Sequence, residues 1–105
     1  MVNVRVLKNS NGYVSFECSG HAGYMRKGKD IVCAAISMLT INTANSIMTL
    51  TDAKISVNEN DGFISWKFEG ESGHDADLLM DSMLMGLRSV EEEYKKYLTL
   101  SVEEV

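Results

Sequence analysis

The sequence predicts an α+β fold: a two-layer sandwich of order ββαββα, in which an antiparallel sheet packs against two helices. Three observations carry this. Two pairs of short alternating segments are each joined at a turn that contains Asn and ends in Gly. Each pair is followed by a long stretch with the character of a helix. Ser-Gly-His occurs twice, at 19–21 and 72–74, each time after a second strand and before a helix opened by an aspartate, Asp30 or Asp75.

The elements follow in order. Residues 2–8 alternate as a strand, and Asn9-Ser10-Asn11-Gly12 turns the chain, because Asn and Gly both tolerate positive φ. Residues 13–19 return as a second strand, with Val14, Phe16 and Cys18 on one face and Tyr13, Ser15, Glu17 and Ser19 on the other. A loop at 20–29 leads to an uncharged helix at 31–50. Residues 53–59 and 63–69 form the second hairpin around Asn60-Asp61-Gly62, with Ile64, Trp66 and Phe68 on one face. The second helix spans 75–98, with a core stripe of Met80, Met83, Leu87, Val90, Tyr94 and Tyr97. Its outer side carries the i,i+4 pairs Glu91–Lys95 and Glu92–Lys96. Residues 99–105 add a short edge strand or fray. At 105 residues, with no visible linker, the chain reads as one domain over 1–105.

Composition narrows the function. A net charge of -5 argues against a nucleic-acid binder and suits a basic protein substrate. Two cysteines make no disulfide framework, and the alternating N-terminus lacks a signal-peptide hydrophobic region, so a reducing, cytoplasmic setting is expected. Residues 31–50 are long and uncharged enough to raise the question of a membrane span. They also hold seven polar residues, among them Asn42 and Asn45, so a helix covered by protein on more than one side is the better reading and no membrane partner is expected.

The chemistry concentrates at 19–37. His21 lies in a flexible segment, and Cys33 follows twelve residues later near the start of the uncharged helix. With Asp30 as N-cap, Cys33 is the third helical residue, where unpaired N–H groups and the positive end of the macrodipole favour a thiolate. The same N–H groups can bind the oxyanion of a tetrahedral intermediate. His21 is then the general base, because a neutral imidazole accepts a proton at cytoplasmic pH. Cys33 as a small buried apolar residue and His21 as a surface loop residue are the competing readings. Asp30 caps the helix, orients His21 as the third member of a triad, or does both. Ser37, four residues after Cys33 on the same helix face, supports the site or bonds back to its own helix. Gly20, Gly23 and Gly28 make residues 20–29 a hinged loop, and its basic stretch reads as a lid over an extended peptide. His74 heads the second Ser-Gly-His, but Leu78 stands where a cysteine would be needed, so His74 is structural or exposed. Cys18 points inward as packing. No metal-ligand spacing and no phosphate-binding glycine loop is present in the sequence, so neither metal nor cofactor is expected.

Gly20-His21-Ala22 with Gly23, Gly28, Asp30-Ile31-Val32-Cys33-Ala34-Ala35 with Ser37, and the later Ser-Val-Glu-Glu-Glu-Tyr run at 89–94 resemble the ribosomal-processing cysteine protease family, Prp. The resemblance implies a bacterial cysteine endopeptidase that removes the N-terminal extension of a large-subunit ribosomal protein during ribosome maturation. It implies His21 and Cys33 as the catalytic pair, Asp30 and Ser37 as motif residues of less settled role, and a homodimer. Two rivals stand beside it: a non-catalytic ribosome-assembly binding module, and a thiol redox sensor on Cys33 that lacks a resolving partner if Cys18 is core-facing.

Overall fold

A computed structural model describes residues 1–26 and 29–105. The elements run β1 (Val2–Asn9), β2 (Gly12–Ser19), α1 (Ile31–Leu50), β3 (Ile55–Asn60), β4 (Phe63–Phe68), α2 (His74–Glu93) and β5 (Leu98–Glu104). The five strands form one sheet of order β3-β4-β2-β1-β5. The α+β architecture is as expected, but the sheet is mixed rather than antiparallel, because β5 pairs parallel to β1 in the register Val2↔Leu98, Val4↔Leu100. The C-terminal segment therefore makes an edge strand.

Alternation fills one face of the sheet. Val4, Cys18 and Ile64 lie side by side across β1, β2 and β4, and Val6, Phe16 and Trp66 form the next row. Phe16 and Trp66 stack at 4.4 Å between centroids. Val32, Ile36, Ala44 and Ile47 of α1 and Ala76, Met80, Met83, Leu84 and Leu87 of α2 complete the core.

The strict alternation expected for β2 fails at its start. A register shift between Leu7 and Lys8 sets Ser15 opposite Leu7 but Tyr13 opposite Lys8. Val14 is the extra residue of a bulge, so Tyr13, not Val14, is buried with Phe16 and Cys18. In the preceding turn no residue but Gly12 takes positive φ, and the Asn9 side chain instead accepts from the Asn11 N–H at 2.8 Å.

Helix α2 also differs from its expected bounds. It begins at His74 with Gly73 as N-cap, so Asp75 sits in the first turn rather than opening the helix. It ends at Glu93, with Tyr94 as C-cap at φ -126, ψ 53. Tyr94 and Tyr97 thus lie beyond the helix, and Lys95 and Lys96 cannot form the expected helical pairs. Glu91 instead meets Arg88 at 3.6 Å and accepts the Leu100 N–H at 3.0 Å, which ties the helix end to β5.

Helix α1 is long and apolar enough to cross a membrane by length and composition. Its buried positions, Val32, Ile36, Thr40, Thr43, Ala44 and Ile47, make one face. Thr40 and Thr43 return their hydroxyls to the Ile36 and Leu39 carbonyls, so neither is an unpaired polar group in the core. The other face, including Met38, Ile41 and Met48, is exposed, so protein covers one side of α1 rather than several.

Candidate active site

Asp30 creates the local geometry. Its Oδ1 accepts from the N–H groups of Val32 at 3.1 Å and Cys33 at 3.0 Å, which fixes the start of α1 and places Cys33 in the first turn. Its Oδ2 accepts the Tyr24 N–H at 3.0 Å. One carboxylate thus joins the loop to the helix. Among the described residues, none of its hydrogen bonds reaches His21. Desolvation pushes the Asp30 carboxyl up, and the backbone donors of Cys33, Tyr24 and Met25, with the Cys33 thiol, more than offset that, holding it below its ordinary value.

The cap has a consequence for catalysis. The N–H groups of Val32 and Cys33 bond to the Asp30 side chain and that of Ala34 to the Asp30 carbonyl at 3.1 Å. These helix-start groups, expected to bind an oxyanion, are already engaged. The donor aimed at the sulfur is the N–H of buried Ala22, 3.2 Å from Cys33 Sγ.

That bond also locates His21. The Ala22 nitrogen is one peptide unit from the His21 Cα, about 2.4 Å away by standard bond lengths. The sulfur therefore lies within about 6 Å of the His21 Cα. His21 is exposed, and its carbonyl accepts from the Met1 ammonium at 2.7 Å. No hydrogen bond joins its ring to Sγ among the described residues; Nε2 faces Gly62 instead.

His21 and Cys33 line one cavity of about 550 Å³. Asp30, Ser37 and Ile41 border it from the α1 side, Gly20 and Gly23 from the loop, Cys18 from the sheet, and Glu59 to Ile64 from the second hairpin. Ser37 is exposed one turn beyond Cys33. Gly20 and Gly23 both have positive φ, at 98° and 74°. Gly28, and part of the expected lid, lie outside the described residues. The rest of the loop is held: Ala22 by sulfur, Tyr24 by Asp30, and the Tyr24 ring edge-on against Tyr94 and Tyr97 at 5.5 and 5.2 Å. Cys18 is buried in the core as expected, yet it borders the same cavity. Burial first, and the charge of Cys33 second, push its thiol up to about 11, so it is a poor nucleophile. His74 is exposed and pairs with Asp75 at 3.2 Å, away from this cavity.

Two contributors were not singled out from the sequence. The β3–β4 turn was legible as a turn but not as a wall of the cavity. Tyr94 and Tyr97 have a three-residue spacing that suits a helix core as well as a clamp, and the structure uses it for the clamp on Tyr24.

Asp30→Ala is expected to lower stability by about 1–2 kcal/mol through the lost cap, read by urea denaturation. The depressed carboxyl stabilises the fold above the ordinary aspartate range, and that contribution is lost as pH falls through its lower folded value. The gap between wild type and variant should therefore narrow in acid. A gap that widens below pH 4 would contradict this.

Residues 1–99 match the family model described as cysteine protease Prp. A ribosomal processing cysteine protease Prp from Staphylococcus aureus is 31% identical over 104 residues, covering 96% of this chain and 98% of the relative. One from Bacillus subtilis is 27% identical over 99 residues, covering 89% and 88%. A crystal structure of the S. aureus protease with a covalently linked product peptide superposes with a TM-score of 0.92 at 28% identity, covering 98% of this chain and all of that one.

Proposed function

The chain belongs to the cysteine protease Prp family, and from that premise we propose that it removes the N-terminal extension of a large-subunit ribosomal protein, with Cys33 as nucleophile and His21 as general base. It is a hydrolase, a cysteine-type peptidase. The observation that carries the residue assignment is that Sγ of Cys33 bonds the peptide N–H immediately after His21, inside one cavity.

His21 takes the Cys33 thiol proton, and the resulting thiolate attacks the scissile carbonyl, moving its π electrons onto the oxygen of a tetrahedral intermediate. His21 returns that proton to the leaving amine as the acyl-enzyme forms, and water then releases the acyl group. The Ala22 N–H supports the negative sulfur. Asp30 orders both sides of the site through backbone donors, and Ser37 stands at its rim.

The acidic chain suits a basic ribosomal protein, works in the cytoplasm where its thiol stays reduced, and needs neither nucleic acid nor membrane for this reaction. The exposed apolar face of α1, with Met38, Ile41 and Met48, closes a homodimer. Sedimentation at micromolar concentration is expected to show a dimer; a monomer would contradict that interface.

The function is tested by incubating the enzyme with the extended ribosomal protein of the same organism and measuring intact mass. The expected result is loss of an N-terminal peptide, blocked by prior iodoacetamide treatment. An unchanged substrate mass, or cleavage indifferent to alkylation, would overturn the reading.

A further inference from the structure

We propose that Gly62 is a positioning residue for the general base: its bare Cα makes a seat for the His21 imidazole at the wall of the cavity. The inference rests on the reading of His21 as that base. A Cβ built on Gly62 would stand 2.6 Å from His21 Nε2, 3.0 Å from Cε1 and 3.3 Å from Cδ2. All three contacts fall on one ring, so any side chain at 62 displaces the imidazole. The backbone of the same residue is also engaged, because the Gly62 carbonyl accepts the Gly20 N–H at 2.8 Å. The β3–β4 turn thus grips the segment just before His21 and supports the ring itself.

Turn geometry alone does not account for this glycine. Gly62 has φ 72°, which asparagine can adopt, so a turn needing only that conformation would accept Asn. What Asn cannot supply is the space the imidazole occupies. Because the ring belongs to an exposed side chain, it can swing away without dismantling the core. The loss should therefore fall on proton transfer rather than on folding.

The test compares Gly62→Asn with Gly70→Asn. Gly70 also has positive φ, 95°, and a Cβ there meets nothing within 4 Å, so it reports backbone strain alone. Peptide cleavage by Gly62→Asn is expected to fall on the order of 10²-fold in kcat/KM, carried by kcat, as for a misplaced catalytic group. Gly70→Asn should match wild type. The second readout is the rate of Cys33 alkylation by iodoacetamide against pH, mapped by mass spectrometry. Gly62→Asn should alter that profile in wild type and leave it unchanged in a His21→Ala background, where no imidazole remains to be displaced. Wild-type kcat/KM in Gly62→Asn, an equal loss in Gly70→Asn, or an equal alkylation change in the His21→Ala background would overturn the proposal. Full cleavage by His21→Ala would instead overturn the general-base reading beneath it.

Discussion

Cys33→Ala is expected to abolish cleavage, with kcat reduced on the order of 10⁶-fold, the scale seen when a protease loses its nucleophile. Among the described residues, no other thiol or hydroxyl in the cavity is placed to substitute. Cys18 borders the same space but is buried, with its thiol pushed up to about 11. Ser37 sits a full turn further along α1, at the rim, while the Ala22 donor is aimed at Cys33. The fold should survive, because the substitution removes one sulfur from a half-buried position and leaves the Asp30 cap on the Cys33 N–H intact. Thermal unfolding is expected within about 1 kcal/mol of wild type, while intact-mass analysis shows uncut substrate. Turnover retained by a correctly folded Cys33→Ala protein would reject the covalent mechanism. Loss of turnover with loss of the fold would not count, so both measurements belong to the same preparation.

What could be read from the sequence divides along the range of the interactions. The Asp30–Cys33 relation is local: an N-cap and the third helical residue have a fixed spacing, so spacing alone placed the thiol in the first turn. The inward rows Val4–Cys18–Ile64 and Val6–Phe16–Trp66 follow from alternation once a hairpin is recognised. Alternation failed at Tyr13 and Val14 because a bulge is a property of the strand pair, set opposite Leu7 and Lys8, and not of either strand alone. The end of α2 was hidden for a related reason. No proline or glycine follows Glu93, and Tyr94 and Tyr97 continue a helical spacing. What stops the helix is the pull of Leu98, Leu100 and Val102 into parallel pairing with β1, some ninety positions away in sequence. At the site, residue type suggested that the His21 segment approaches Cys33, as the Ala22–Sγ bond shows, whereas the nearness of Gly62 to the His21 ring depends on which hairpin lies beside the loop. Strand order β3-β4-β2-β1-β5 decides that, and no local pattern encodes it.

His21→Ala is the second large effect, expected to lower kcat/KM by about 10²–10⁴-fold, the usual contribution of a positioned general base. The loss should be smaller than for Cys33→Ala, because the sulfur keeps two sources of support. The Ala22 N–H still donates to it at 3.2 Å, and the Asp30 cap still fixes Cys33 in the first turn of α1. Residual cleavage should rise with pH as hydroxide assumes the proton acceptor's role, so its pH profile should differ from that of wild type. Stability should change little, since the ring is exposed and the contacts that fix this segment, Met1 to the His21 carbonyl and Gly20 to Gly62, are made by backbone. If His21→Ala instead kept wild-type kcat/KM with an unaltered pH profile, the proton would have to leave by another group, and Asp30, which is hydrogen-bonded to this thiol, is the candidate among the described residues. Asp30→Asn would then carry the large loss. The two pH profiles, measured on folded variants, therefore assign the base between His21 and Asp30.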